Sequence, residues 1–252
     1  MSRPFPLIMG ILNASPDSFF KESTVTPELA ARKALEWEKL GVDILDIGGE
    51  STRPGSQPVS VEEELSRILP VLRAVREVTG LPISIDTYKP EVMDACADEG
   101  ATWLNDISAF EAPKLGEVAA KRGLSVILMH KKGSPETMQT APVYKDVVGE
   151  VVGYLSDRAE RAMEFGIPRE KIWLDPGIGF GKSLEHNLEL LRGLFRLLAR
   201  GFPVAVGLSN KRWIGELSSD DSRLAGSVTG ALWCWLQGTG ILRVHDVGQT
   251  IQ

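Results

Sequence analysis

Three short apolar runs in this chain each close on a side chain that can pair with a flat polar edge: Ile83-Ser84-Ile85-Asp86, Trp103-Leu104-Asn105 and Ile172-Trp173-Leu174-Asp175. A fourth, Pro203-Val204-Ala205-Val206, runs into Gly207-Leu208-Ser209-Asn210-Lys211. A strand that buries its length and presents a carboxylate, amide or ammonium at its C-terminal end is how parallel α/β enzymes build an active site. Two acids, an amide and a lysine at one mouth suit the edge of a flat heterocycle. The segments that would surround them are Asn13-Ala14-Ser15-Pro16-Asp17-Ser18-Phe19, Gly48 to Gly55 with Arg53, His130-Lys131-Lys132, Asp175 to Lys182, and Arg243-Val244-His245-Asp246. Four of these bring a cation or a group that can become one, which suits a polyanion such as a diphosphate.

The elements that must position these residues follow from hydrophobic periodicity. Strands are expected at roughly 6–13, 42–48, 81–86, 102–106, 125–130, 171–175, 203–207 and 241–246, with helices near 27–40, 61–78, 90–99, 112–122, 143–165, 184–200 and 221–238. Pro27-Glu28 and Pro90-Glu91 suit first helical turns, and Gly41, Gly80, Gly100, Gly123, Gly166 and Gly201 sit where helices should stop. Strict alternation predicts a (β/α)8 TIM barrel over residues 1–252 as one domain, with the final helix missing; a doubly wound open sheet is the alternative, but eight even units favour closure. Only Gly248-Gln249-Thr250-Ile251-Gln252 follow the eighth strand, too few for a covering helix. The apolar segment Ala231-Leu232-Trp233-Cys234-Trp235-Leu236 would flank that gap, and is expected to meet a second subunit, as in a homodimer, or a segment absent from this chain.

Composition excludes several classes. The 252 residues, 43% of them hydrophobic, suffice for one large α/β domain. No apolar run approaches the ~20 residues needed to cross a bilayer, and Met1-Ser2-Arg3-Pro4 leads almost directly into a strand, without the features of a secretory signal. A net charge of −6, from 34 acidic and 28 basic residues, argues against a general nucleic-acid surface. Cys96 and Cys234 are too few for a disulfide framework, pointing to a reducing cytoplasm.

Familiar motifs fail. Gly177-Ile178-Gly179-Phe180-Gly181-Lys182-Ser183 approaches a phosphate-binding loop, but Pro176 stands where its first glycine is required, and Rossmann spacing fails too. The glycines are expected to let backbone and Phe180 approach a ligand closely. His130, His186 and His245 are the only histidines and have no metal-site spacing. A divalent ion held mainly by substrate phosphate, with Asn13 as a protein oxygen ligand, fits better, and Mg²⁺ behaves this way. Lys131, Lys132 and Lys182 are read as solvated loop charges.

Taken in order, the segments resemble the dihydropteroate synthase family: Met9-Gly10-Ile11-Leu12-Asn13 with Pro16-Asp17-Ser18-Phe19, Asp46-Ile47-Gly48-Gly49-Glu50-Ser51-Thr52-Arg53-Pro54-Gly55, Asp86-Thr87, Asn105-Asp106-Ile107, Met129-His130, Asp175 to Lys182, Ser209 with Lys211, and Arg243-Val244-His245-Asp246. The resemblance implies a cytoplasmic transferase of folate synthesis that joins 7,8-dihydropterin-6-ylmethyl diphosphate to 4-aminobenzoate, with small-molecule substrates and a pocket that is the family's sulfonamide target. By the same matching, Asp86, Asn105, Asp175 and Lys211 would bind the pterin. Asn13, Thr52, Arg53, Arg243 and His245 would bind the diphosphate, with Asn13 on Mg²⁺. Phe19, Pro54, Phe180 and Ser209 would shape the aminobenzoate pocket. Asp86, Lys211, Arg243 and His245 would carry catalysis, Asp86 by stabilising positive charge that spreads over the pterin as diphosphate leaves.

Three departures stand out, the missing final helix among them. The family's first loop continues Ser-Asp-Gly-Gly after its phenylalanine, where this chain has Phe20-Lys21-Glu22-Ser23, and the family's arginine between serine and lysine is Asn210 here. They leave two alternatives open: a non-catalytic pterin-binding relative, and a corrinoid methyltransferase on a related barrel. Arg53, Arg243 and His245 weigh against the second, because a methyl donor brings no diphosphate.

Overall fold

Apolar runs flanked by glycine become eight parallel strands in the computed structural model, which describes residues 5–15, 25–51, 56–133, 142–217 and 223–252. The strands are β1 (Leu7–Asn13), β2 (Ile44–Gly48), β3 (Ile83–Asp86), β4 (Trp103–Asp106), β5 (Ser125–Met129), β6 (Ile172–Asp175), β7 (Ala205–Gly207) and β8 (Ile241–Val244). They lie in the order β6-β5-β4-β3-β2-β1-β8-β7. A parallel bridge between Leu174 and Val204, with the Leu174 N–H donating to the Pro203 carbonyl at 3.0 Å, joins the two ends. The sheet is therefore a nearly closed barrel, and every strand delivers its C-terminal end to the same mouth.

Helices cover the outside: α1 (Pro27–Leu40), α2 (Val61–Val78), α3 (Pro90–Asp98), α4 (Pro113–Lys121), α5 (Val147–Glu164), α6 (Leu184–Arg192), α7 (Leu194–Leu198), α8 (Arg212–Leu217), α9 (Leu224–Gln237) and α10 (Val247–Ile251). Proline opens α1, α3 and α4, while Thr26, Ser60, Asp146 and Ser183 cap α1, α2, α5 and α6 by accepting from backbone N–H groups of the first turn. Strand-facing apolar stripes of these helices and the outward side chains of the strands form the main core. Inside the barrel, Met9, Ile44, Ile127, Ala205 and Ile241 pack together with Leu7, Trp103 and Trp173, the two indoles 5.7 Å apart. Burial of each of Met9, Ile44, Ile127 and Ile241 contributes about 1.5–3 kcal/mol. Apolar packing low in the barrel leaves the opposite mouth to polar groups.

Three details differ from the periodicity. The span 184–200 is two helices, broken at Gly193, where a Cβ would stand 2.8 Å from both methyls of Val148 on α5. A short helix, α8, forms directly after Lys211. A five-residue helix, α10, follows β8, where no covering helix was expected. Its Val247 is buried and reaches within 3.1 Å of the Cβ position of Gly10, next to Trp37 of α1.

Candidate active site

Parallel pairing sets the levels of the strand ends. Asn13 pairs with Gly48, Gly48 with Asp86, and Asp86 with Asn105, so four strands finish along one line of the mouth. Asp175 pairs with Met129, and Arg243 with Gly207. A cleft open to solvent sits on these ends. Its polar lining is Asp86, Asn105, Asp175, Lys211 and Arg243; Ile107, Met129, Ile178 and Phe180 supply apolar walls. Five of the residues expected on one heterocycle edge and its leaving group therefore share one cavity, as does Phe180.

Arg243 ties one side together. Its Nε donates to Asp46 Oδ2 at 2.7 Å and its Nη2 to Asp86 Oδ2 at 2.7 Å, with Nη2 also in ion-pair contact with Asp46 Oδ2 at 2.6 Å. Asn105 Nδ2 donates to the same Asp46 oxygen at 3.3 Å. Burial opposes the guanidinium charge, but the two carboxylates hold Arg243 above its ordinary value. Asp86 is pushed up to about 7, chiefly by burial, against the pull of Arg243, with the nearby Asp46 charge adding to the rise. Asp46 Oδ1 and Asp86 Oδ1 are buried without a protein partner. A buried carboxylate oxygen in that state is costly unless a ligand or solvent donor meets it.

The other side is built on the turn after β6. The Gly177 N–H donates to Asp175 Oδ1 at 2.7 Å, aiming the carboxyl group. Burial raises the Asp175 pKa, opposed by the Gly177 bond and by the charges of Lys211, Arg243 and Lys182. Lys211 Nζ lies 4.1 Å from the centre of the Phe180 ring, a cation–π contact. The glycines also bring the turn against the segment after β5. At Gly177 (φ 64°) a Cβ would fall 1.8 Å from the His130 carbonyl oxygen, and at Gly181 (φ 63°) 2.3 Å from that of Lys132.

Lys182 is not a solvated loop charge. It is 3% exposed, and its Nζ donates to the carbonyls of Gly177 (2.9 Å), Phe180 (2.9 Å) and His130 (3.3 Å), with His130 Nδ1 at 3.0 Å. Burial pushes its pKa down to about 7, with Asp175 opposing. Burial and then the Lys182 charge push His130 down to about 3, so its ring is neutral. Lys131 pairs with Glu111 at 3.1 Å, and Lys132 lies over the Tyr144 ring.

Ser209 and His245 stand together beside the cleft. Ser209 Oγ accepts from the His245 N–H at 3.1 Å and lies 3.2 Å from His245 Nδ1. It also donates to Asp246 Oδ2 at 3.4 Å, so Ser209 joins the end of β7 to the end of β8. Asn210 takes φ 58°, and its amide reaches the same Asp246 oxygen at 3.3 Å. The loop after β2 is anchored at its feet by Glu50, which accepts from the Val59 N–H at 3.2 Å, from Tyr88 Oη at 2.8 Å and from Lys89. Phe19, Thr52, Arg53 and Pro54 lie outside the described residues.

Asn13 closes β1, half-buried at the mouth. Among the described residues, no group of three or more His, Cys, Asp or Glu side chains is placed to hold a metal. One hard, neutral amide oxygen fits Mg²⁺ that draws its remaining ligands from phosphate and water, and does not fit an ion caged by protein alone.

Two residues that hold the cleft together escaped the sequence reading. Asp46 was part of a motif without a role; its signal was an acid inside the otherwise apolar run Ile44 to Ile47, and it is fully buried. Lys182 carried no such signal, because nothing near it in sequence reveals that a loop folds over it.

Residues 9–245 match the family described as pterin binding enzymes. The chain is 45% identical over 250 residues to a dihydropteroate synthase of Escherichia coli strain K12, covering 98% of this chain and 89% of that protein. It superposes on a Yersinia pestis dihydropteroate synthase in a sulfonamide drug complex with a TM-score of 0.93 and 41% identity, over 98% of this chain and 91% of that one. It also superposes on a Xanthomonas albilineans dihydropteroate synthase in complex with 7,8-dihydropteroate, with a TM-score of 0.86, 42% identity and coverage of 98% and 90%.

Proposed function

The chain belongs to the pterin binding enzymes, and from that membership we infer that it catalyses the dihydropteroate synthase reaction, joining 7,8-dihydropterin-6-ylmethyl diphosphate to 4-aminobenzoate and releasing diphosphate. The observation that carries the reading is the single cleft in which Asn105, Asp175 and Lys211 face the Asp86–Arg243 pair. Asp175 offers a carboxylate to the amino group and ring N–H of a pterin, a bidentate arrangement. Asn105 donates and accepts along the neighbouring edge, and Lys211 reaches the ring carbonyl and N5. Asp86, with one oxygen free of protein partners, lies against the ring as the carbon–oxygen bond to diphosphate breaks and positive charge spreads over the pterin. Arg243 and His245, with Thr52 and Arg53, take the departing oxygens. The arylamine nitrogen then forms the new bond to the methylene carbon and loses a proton. Phe180, Phe19, Pro54 and Ser209 would enclose its ring.

Mg²⁺, when bound, neutralises diphosphate charge, and Asn13 would hold it. We further propose a homodimer formed through the apolar outer face of α9, a cytoplasmic location and one barrel domain over residues 1–252. None of the described helices is long and apolar enough to cross a membrane.

The test is diphosphate release with Mg²⁺ and the pterin diphosphate, with and without 4-aminobenzoate. Arylamine-dependent release with equimolar dihydropteroate is expected, together with loss of activity on chelation. Tight pterin binding without product would turn the reading into a non-catalytic relative.

A further inference from the structure

We propose that Lys182 is a positioning residue for the arylamine: buried behind the cleft, it holds the turn after β6 so that Phe180 presents its ring beside Lys211. This deepens the synthase reading and rests on it.

Phe180 sits in a turn of alternating glycines with few constraints of its own. Its N–H donates to the Gly177 carbonyl at 3.1 Å, and its carbonyl accepts from Lys182 Nζ at 2.9 Å. Lys182 also takes the Gly177 carbonyl, so one ammonium grips the turn on both sides of Ile178 and Gly179. It fastens that turn to β5 through the His130 carbonyl and Nδ1. A second anchor comes from α6, where buried Asn187 Oδ1 accepts from the Gly179 N–H at 2.8 Å. Asp175 needs these anchors less, because its backbone is held in the ladder, its carbonyl accepting from the His130 N–H at 3.0 Å. Loosening Lys182 should therefore displace Phe180 more than Asp175, and a misplacement of about 1 Å in a binding group can cost on the order of 100-fold. The Lys182 nitrogen also stands 3.0 Å from His130 Nδ1, so a change at Lys182 registers on that ring.

The experiment compares Lys182→Met, Asn187→Ala and Phe180→Ala with the parent enzyme, measuring KM for 4-aminobenzoate and Kd for the pterin diphosphate. All three should raise the aminobenzoate KM roughly tenfold while Kd changes by less than about twofold, a split that general loosening of the fold would not produce. ¹⁵N NMR of the three histidines should show the His130 Nδ1 resonance shifting in Lys182→Met. A raised KM in Phe180→Ala but not in Lys182→Met or Asn187→Ala overturns the proposal. An unchanged KM in Phe180→Ala overturns it by another route, removing Phe180 from the arylamine site and so faulting the underlying reading. If Lys182→Met, which strips three carbonyls of their donor, does not fold, Asn187→Ala, which leaves the Lys182 hydrogen bonds in place, decides between these outcomes.

Discussion

Asp86 is where charge balance governs chemistry. It is buried, shares Arg243 with Asp46, and titrates near 7 instead of at its ordinary 3.8. The ionised form is the one that stabilises a pterin cation, so kcat/KM for the pterin diphosphate should rise with pH through about 7. It should fall away below that as the carboxylate takes up its proton. The same shift has a stability sign: between 3.8 and about 7 the folded state holds a proton that the unfolded chain has released, so the contribution of Asp86 to stability declines as pH rises. Asp86→Asn should remove that limb of the profile and lower kcat by about 100-fold or more, read from steady-state rates between pH 5.5 and 8.5. A limb that survives in Asp86→Asn would assign it to another group. Asp46 belongs to the same balance, because one of its oxygens accepts from both Arg243 and Asn105 and so links the two expected binding subsites.

At the scale of elements, the turns after β5 and β6 work as one unit. Gly177 and Gly181 press against the His130 and Lys132 carbonyls, and Tyr144 Oη donates to the Gly181 carbonyl at 2.9 Å. Gly181→Ala should destabilise the protein by about 1–3 kcal/mol, since the residue takes φ 63° and its new methyl would meet a carbonyl oxygen at 2.3 Å. Gly153→Ala provides the opposite case: it lies exposed within α5 with no atom near the new methyl, and should stabilise by about 0.5–1 kcal/mol. Urea denaturation of both variants checks the pair. Equal effects would mean that the close approach of the two turns does not constrain the fold.

For the molecule as a whole, the uncovered apolar surface is the unresolved feature of the barrel. On α9, Leu232, Trp233 and Leu236 are 48, 46 and 69% exposed, and Phe5, also exposed, stacks on Trp235 with ring centres 5.4 Å apart. Exposed apolar side chains gathered on one helix are the basis of the dimer proposal. The double variant Leu232→Glu/Leu236→Glu should halve the mass seen by light scattering while leaving the far-UV spectrum intact, because neither side chain belongs to the core. A parent protein that is already monomeric at high concentration would end the dimer proposal. The net charge of −6 makes the gathering of Lys211, Lys182 and Arg243 around one mouth a local arrangement.

Much of this organisation is written locally. Alternation of apolar runs with helical periods, and the polar residues closing those runs, were enough to expect a barrel and to bring Asp86, Asn105, Asp175, Lys211 and Arg243 to one cleft. That succeeds because a parallel strand has a direction, and whatever ends it must stand at the mouth. The helix caps at Ser60 and Ser183 are equally local, each accepting from an N–H three residues on. Pairings between distant positions were not legible. Arg243 meets Asp46 across 197 residues, and Lys182 meets His130 across 52. Each depends on closure and strand register, which set how far one strand end stands above the next, and no spacing along the chain encodes that offset. The sequence alone therefore determined which groups face the mouth; the tertiary structure decided which of them hold one another, and that Lys182 is buried beneath the cleft and out of solvent.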